Sequence, residues 1–473
     1  MTVFGKFGSD YMKHCLAAVL TAAVAALIAV AQAPAPAEPF TMRTVATGFA
    51  GPWEIAWGPD GFLWVTERTG YRITRVNPAD GAKAVAVTIP EAHATTAQDG
   101  LLGMALDPGL LQSNGNDYVY VAFTYDDAAG TRLSSRLVIR RYTYNAGTKT
   151  LGNPVDVLAG LPASNDHVAG RLIFGPGRKL YLSIGDLGNN VGEHRCSPDR
   201  TQELPTAPEI ARQDWTKYQG KILRVNLDGS IPPDNPVING VRSHIFAYGF
   251  RNTQGLAFGP DGKLYGSEHG PGSDDEVNLI EAGKNYGWPH VAGYKDDQSY
   301  VYATWSESRP QPCASLPATN ENDINAIPGS VPFYKESSWS HADFREPMKT
   351  FFTVASGYNW QVSGNATIAP SGLDVYNTAQ GGIPGWANSL LALSMTKGRV
   401  YRLKLADDGR SFIGDPQEYF RSVNRYRDIA LGSDKRSFYL ATDLQGRTTD
   451  NAGANTQTLN SPGVILEFRY TGP

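Results

Sequence analysis

The feature that most restricts this chain is a short unit that recurs along it. Trp57-Gly58-Pro59-Asp60-Gly61 precedes Phe62-Leu63-Trp64-Val65-Thr66, and Phe258-Gly259-Pro260-Asp261-Gly262 precedes Lys263-Leu264-Tyr265. Phe174-Gly175-Pro176 leads into Lys179-Leu180-Tyr181-Leu182-Ser183-Ile184. A looser copy runs from Leu431-Gly432-Ser433-Asp434 to Ser437-Phe438-Tyr439-Leu440-Ala441-Thr442-Asp443. Each copy reads as a strand, a Gly/Pro/Asp turn and a second strand with period-two alternation; Leu180, Leu182 and Ile184 share one face. The copies lie at uneven intervals, so some intervening units are degenerate or carry insertions. Antiparallel hairpins repeated along one chain predict an all-β propeller, because radial packing buries both faces of each small sheet and leaves only short edges.

Composition agrees with short strands and tight turns. The 473 residues include 50 Gly, 31 Pro, 23 Tyr, 18 Phe and 9 Trp, and no long amphipathic helix stands out. A formal charge of −4 offers no basic excess for nucleic acid. Three cysteines exclude a disulfide-dense scaffold and any Cys-rich metal centre. Residues 15–33 are uncharged and rich in Ala, Val and Leu, Lys13 and His14 precede them, and Ala35-Pro36-Ala37 follows. That pattern predicts a signal peptide over 1–37, cleaved after Ala37, and a periplasmic or secreted protein with no stable membrane insertion after cleavage. Residues 38–473 read as a single propeller domain, since no Pro/Ser-rich linker divides them. Ser306 to Pro328 is polar and Pro-rich and is expected to be a surface loop. Cys196 and Cys313 remain after cleavage; they can pair in an oxidising compartment only if the fold brings them together.

Polar clusters flank the repeat units: Asp166-His167, Arg251-Asn252, Glu268-His269-Gly270-Pro271 with Asp274-Asp275-Glu276, and Arg425-Tyr426-Arg427-Asp428. Loops at one propeller rim surround the central channel, so such clusters can converge. Each also has a plain reading. Asp166-His167 is commonly a turn with an exposed His, Arg425 and Arg427 a solvated strand face, and the acidic run a surface turn. No phosphate-binding loop, dinucleotide fingerprint or His-Glu-x-x-His motif is present.

Taken in order, Gln98-Asp99-Gly100-Leu101-Leu102-Gly103, Asp166-His167, Gly220-Lys221-Ile222-Leu223-Arg224-Val225-Asn226-Leu227-Asp228-Gly229-Ser230-Ile231-Pro232, Arg251-Asn252, Ser273-Asp274-Asp275-Glu276, Asn285-Tyr286-Gly287-Trp288-Pro289 and Asn424-Arg425-Tyr426-Arg427-Asp428 resemble the soluble quinoprotein glucose dehydrogenase family, which uses pyrroloquinoline quinone (PQQ). The resemblance implies a six-bladed β-propeller of four-stranded antiparallel sheets. It implies that Lys397, Arg425 and Arg427 meet the PQQ carboxylates, with Asn252, Thr367 and His269 beside the cofactor. Arg251 would stabilise developing oxygen charge. His167 would be the general base that takes the anomeric hydroxyl proton, with Gln98 and Asp166 holding base and sugar. One calcium ion would bridge PQQ to the carbonyls of Gly270 and Pro271. A second, structural calcium would be held by Glu276, Tyr286, Ala292, Tyr294, Asp296 and Glu336.

The implied reaction is oxidation of an aldose, glucose by default, to the lactone, with electrons passed to an external acceptor; a homodimer is also implied. Departures bear on the sugar. His269 stands where the nearest glucose dehydrogenases have Gln, Asn365 replaces an aromatic residue, Val191 and Gly192 differ from the family's residues near the sugar, and the segment from Gly357 to Thr367 lacks the family's paired cysteines. Two other readings remain at this stage: a calcium-dependent propeller hydrolase resembling a lactonase, and a non-catalytic binding propeller.

Overall fold

A computed structural model describes residues 38–473, apart from 96–97, 129–134, 299, 318–322, 356 and 379 and the side chain of residue 361. The signal-peptide expectation falls on residues 1–37, outside the described part. The repeat unit forms as its composition dictates. In the first copy Asp60 Oδ1 accepts from the Phe62 amide at 3.2 Å and from the Trp64 indole at 3.1 Å, closing the turn and tying it to the outgoing strand. Asp261 and Asp434 close the equivalent turns through the amides of Lys263 (3.1 Å) and Arg436 (3.0 Å).

Six four-stranded antiparallel sheets result, and they form a six-bladed propeller. The inner strands Pro52–Trp57, Leu101–Leu106, Ala169–Gly175, Thr253–Phe258, Pro370–Tyr376 and Tyr426–Leu431 neighbour one another in that order, and the sixth returns to the first. The ring is closed by pairing the two ends of the chain: Phe40–Ala46 lies against Ile465–Tyr470, with Phe40 opposite Tyr470. Buried apolar side chains fill the spaces between blades, for example Leu102, Tyr120, Leu172 and Leu182 between the second and third.

Every inner strand shifts register near its first residue: between Pro52 and Ile55, Leu101 and Met104, Ala169 and Leu172, Thr253 and Gly255, Pro370 and Leu373, and Tyr426 and Asp428. A bulge re-aims the side chains that follow it. Here the six bulges surround the same end of the channel.

On the axis below them sits Arg171. Its Nη1 meets Glu54 Oε2 at 2.5 Å and Asp428 Oδ1 at 3.1 Å, its Nε donates to the Gln254 carbonyl at 2.9 Å, and its Cζ lies 4.6 Å from the Trp53 ring centroid. One guanidinium on the third blade therefore binds the first, fourth and sixth.

Two expectations are corrected. Ser306 to Pro328 is more than a surface loop. It carries the helical turns Cys313–Ser315 and Ile324–Ala326, and Trp305, Cys313 and Leu316 pack with Ala303 and Val331 in an apolar cluster. A disulfide joins Cys196 to Cys313, whose Cα atoms are 5.6 Å apart. The few apolar residues in that stretch outweigh its polar composition. The acidic run is likewise no surface turn, because Asp274, Asp275 and Glu276 are buried. Among the described residues no helix is long and apolar enough to cross a membrane.

Arg171→Met is expected to destabilise the propeller by about 3–5 kcal/mol, since it leaves two buried carboxyl groups without their cation. Denaturant unfolding followed by tryptophan fluorescence measures this, and an unchanged midpoint would contradict the axial role.

Candidate active site

The bulged ends of the inner strands open into a cavity of about 680 Å³. Arg68, Arg251, Arg425, Arg427 and Arg447 line it, and Asp443 is the one carboxylate among the described lining residues. Asp443 receives Arg425 Nε at 3.1 Å, and Arg427 through Nε at 2.9 Å and Nη2 at 2.8 Å. Burial would raise the Asp443 carboxyl, but Arg427 and Arg425 outweigh it and hold the group below its usual range. Burial lowers the Arg425 guanidinium, and burial with nearby Arg427 lowers that of Arg68. The result is a desolvated cavity with excess positive charge, a setting that favours a polyanionic ligand.

His167 lies in the same wall and is buried, not on an exposed turn. Its Nδ1 is 2.7 Å from Asp186 Oδ1, and Asp186 also accepts from the Gly188 amide (2.8 Å) and the Trp288 indole (2.9 Å). The backbone there is unusual, since His167 and Ala169 have φ of 44° and 59°. Gly185 makes the approach possible, because a Cβ on it would lie 2.0 Å from the His167 carbonyl oxygen. Burial and Arg251 press the imidazole pKa down, but Asp186 and then Asp166 outweigh them, so it stands above the ordinary value. With Nδ1 engaged by Asp186, Nε2 is the nitrogen left to exchange a proton with a ligand.

Other motif residues gather here too. Gln98, His269, Gly270, Pro271 and Thr367 line the cavity. Burial and Arg251 push His269 well below its usual pKa, so its ring is neutral, and its Nε2 is buried without a hydrogen-bond partner. Thr367 Oγ1 donates to Asp275 at 2.6 Å, and Asp275 also accepts from the amides of Gly270 (2.9 Å), Ile368 (2.7 Å) and Ala369 (3.1 Å). The buried acid thus ties the Gly270 loop to the Thr367 loop.

Three further motif residues, Asp166, Asn252 and Lys397, are not among the lining residues themselves. Asp166 accepts from the Gln98 amide nitrogen and from the His167 backbone amide at 2.9 Å, and lies 3.8 Å from His167 Nε2. Asn252 is fully buried and donates to Gln98 Oε1 at 3.1 Å. Lys397 does not line the cavity; its Nζ lies 5.6 Å from the Phe352 ring centroid, and burial with nearby Arg399 and Arg447 lowers its pKa.

The structural-calcium set is drawn together mainly through backbone. Glu336 accepts from the amides of Ala292 (3.0 Å), Asp296 (3.3 Å) and Asp297 (2.9 Å), and Glu276 from Gly293 (2.7 Å). Burial raises Glu276 well above the carboxylate range and Glu336 to about 8. The Tyr286 ring is stacked on Phe250 and its hydroxyl donates to the Leu279 carbonyl at 2.6 Å. Tyr294 is partly buried, with its hydroxyl raised mainly by burial. Among the described residues no three His, Cys, Asp or Glu side chains converge closely enough to hold a metal on their own, so any ion here would need backbone oxygens.

The motif reading did not single out Asp186, Gln254, Trp288 or Asp443 as site residues. A signal for two of them was present. The second strand of four repeat copies ends on an acid or runs into one within two residues: Glu67, Asp186, Glu268 and Asp443. Each takes donors from the preceding rim loop or strand, as Glu268 does from the Arg251 amide and Thr253 hydroxyl.

The glucose/sorbosone dehydrogenase family matches residues 49–344. Quinoprotein glucose dehydrogenase B of Acinetobacter calcoaceticus is 42% identical over 449 residues, covering 93% of this chain and 92% of that protein. The chain belongs to the glucose/sorbosone dehydrogenase family. It is an oxidoreductase of that family. The PQQ-bound aldose sugar dehydrogenase of Streptomyces coelicolor is 26% identical, with a TM-score of 0.60 over 92% of this chain and 100% of that one. The soluble aldose sugar dehydrogenase of Escherichia coli in its apo form, 22% identical with a TM-score of 0.61 over 92% of this chain, shares the fold.

In this dehydrogenase Asp186→Asn is expected to lower the titration midpoint of His167, because the carboxylate that favours the imidazolium is removed. Turnover should fall by about 10²-fold or more as the ring loses its orientation. Histidine ring signals followed by NMR against pH check the first effect, and an unshifted midpoint would contradict it.

Proposed function

We propose that this chain is a PQQ- and calcium-dependent aldose 1-dehydrogenase, exported by residues 1–37, with 38–473 as its single mature domain. Glucose is the default substrate and the lactone the product. The observation that carries the reading is the cavity itself: five guanidinium groups with a single carboxylate, beside a histidine oriented by a buried aspartate. PQQ is a tricarboxylate, so the charge and the space both fit it. Arg425, Arg427 and Lys397, which follows the lining residue Thr396, are proposed to meet the carboxylates, with Asn252 and Thr367 adding hydrogen bonds. The carbonyls of Gly270 and Pro271, on a loop held by Asp275, offer hard oxygen ligands suited to calcium. Glu276, Tyr286, Ala292, Tyr294, Asp296 and Glu336 are proposed to hold a second calcium, whose charge would offset buried carboxylates.

Bound PQQ would supply the two-electron acceptor that takes hydride from the anomeric carbon. The chain's own residues do the rest. Gln98, held by Asp166 and Asn252, presents an amide to the sugar. His167 Nε2 takes the hydroxyl proton, and Asp186 stabilises the imidazolium that forms. Arg251 lowers the imidazole pKa against the pull of Asp186, which keeps more of the base neutral near pH 7. An external acceptor then removes the electrons. A propeller hydrolase would have no use for so many guanidinium groups around one cavity, and a binding-only propeller none for the His167–Asp186 pair. Asn365 lines the cavity whereas Val191 and Gly192 do not, consistent with a site that accepts several aldoses. A homodimer remains part of the proposal through the family.

Arg427→Ala is expected to weaken PQQ binding by about tenfold to a hundredfold, the equivalent of one charge-assisted hydrogen bond. Lys397→Ala, at a residue that is not itself among those lining the cavity, should cost less. Titration of PQQ into each variant in calcium checks this, and equal half-saturation of Arg427→Ala and wild type would place the carboxylates elsewhere.

A further inference from the structure

Outside the cavity lining, two charged groups, Asp199 and Lys221, are linked through Thr201 and have no part in the proposed mechanism. Lys221 is fully buried and pairs with Ile184 across the sheet, two residues before Asp186. Its Nζ donates to the carbonyls of Thr201 at 2.7 Å and Gln219 at 2.8 Å. Asp199 Oδ1 accepts from the Thr201 amide at 2.7 Å, while its Oδ2 is buried with no hydrogen-bond partner. Thr201 Oγ1 sits 2.5 Å from Asp199 Oδ1 and 2.8 Å from the Trp288 carbonyl, and the Trp288 indole holds Asp186. The packing leaves no slack: the Gly220 amide donates to the Gly185 carbonyl at 2.8 Å, and a Cβ on Gly220 would lie 2.2 Å from Thr201 Cγ2.

We propose that Asp199 and Lys221 are positioning residues for the base: an acid and an ammonium group joined through Thr201, which holds the Asp199 carboxylate by its amide and the Lys221 Nζ by its carbonyl and reaches Asp186 through Trp288, so that the two charges set the electric field on Asp186 and His167. This rests on the reading of His167 as the base. The charged surroundings are few. Asp199 is near Asp186 and Lys221, and Tyr302, on the short strand Tyr302–Ala303, is near Asp199; Lys221 is near Asp199 and Glu203. His167 also faces Arg251, Asp166 and His269, and Glu268 faces Asp186. Burial pushes Asp199 up to about 7 and Lys221 down to about 7, while the negative charge of Asp199 favours the ammonium and Lys221 favours the carboxylate. Removing either partner therefore shifts the survivor toward its neutral form. In both cases the negative charge near Asp186 is reduced, and the His167 imidazolium loses support.

The test is the His167 ring titration by NMR in the full chain, with the signal assigned by its disappearance in His167→Asn. Asp199→Asn keeps the Thr201 contacts and the fold, and Lys221→Met removes the cation. Both are expected to lower the midpoint, by about half a pH unit, the scale of a nearby buried charge. The acid limb of kcat/KM should move down with it. A midpoint in Asp199→Asn equal to wild type, or displaced upward, would overturn the proposal whether or not Lys221→Met folds. Substantial turnover in His167→Asn would instead overturn the base assignment, and the ring titration would still report on the pair.

Discussion

A single guanidinium on the propeller axis is the interaction on which the site depends. Arg171 gathers Glu54, Asp428 and the Gln254 carbonyl from three other blades. Each contact is one residue from, or belongs to, a residue lining the cavity: Trp53, Gln254 and Arg427. Taking these charges out of water is costly, and the cost shows. Glu54 is raised far above the carboxylate range by burial in spite of Arg171, and neighbouring Asp374 is raised to about 7. Such a knot adds little net stability over an apolar core, but losing one member leaves uncompensated charge. Its effect is to fix how the inner strands stand relative to one another where their bulges turn side chains toward the ligand.

Above the knot, the rim follows a second rule. The second strand of a repeat copy ends on an acid or runs into one within two residues, and that acid organises the adjacent donors. Asp443 spaces Arg425 and Arg427, Asp186 orients His167, and Glu268 holds the backbone of Arg251. The same element thus builds a cationic wall on one side of the cavity and a buried histidine–aspartate pair on the other. The acids differ in what they neutralise: Asp443 is shared by two guanidiniums and leaves the wall cationic, whereas Asp186 faces an imidazole and raises its proton affinity.

Much of this was legible in the residues. Period-two strands around Gly/Pro/Asp turns announced the propeller, and the Arg425/Arg427 and Asp166-His167 motifs pointed to side chains that the fold brings into or against one cavity. What was not legible depends on burial. Asp274-Asp275-Glu276 looks like a solvated turn because composition cannot show that a loop will fold over it. Asp186 sits in an ordinary Gly-Asp step, and its function appears only when Gly185 lets the His167 backbone approach. Lys397 carries the right charge, and it is its neighbour Thr396 that lines the cavity. The disulfide between Cys196 and Cys313 spans 117 residues, a separation from which no local pattern can be read.

The most direct test of the account is a single-turnover experiment on the full chain reconstituted with PQQ and calcium and mixed anaerobically with glucose carrying hydrogen or deuterium at C1. The account predicts glucose-dependent reduction of the bound cofactor, slower with the deuterated sugar, and slowed by about 10²–10⁴-fold in His167→Ala. Bound PQQ whose spectrum stays unchanged with every aldose, or that is reduced equally fast in His167→Ala, would contradict it.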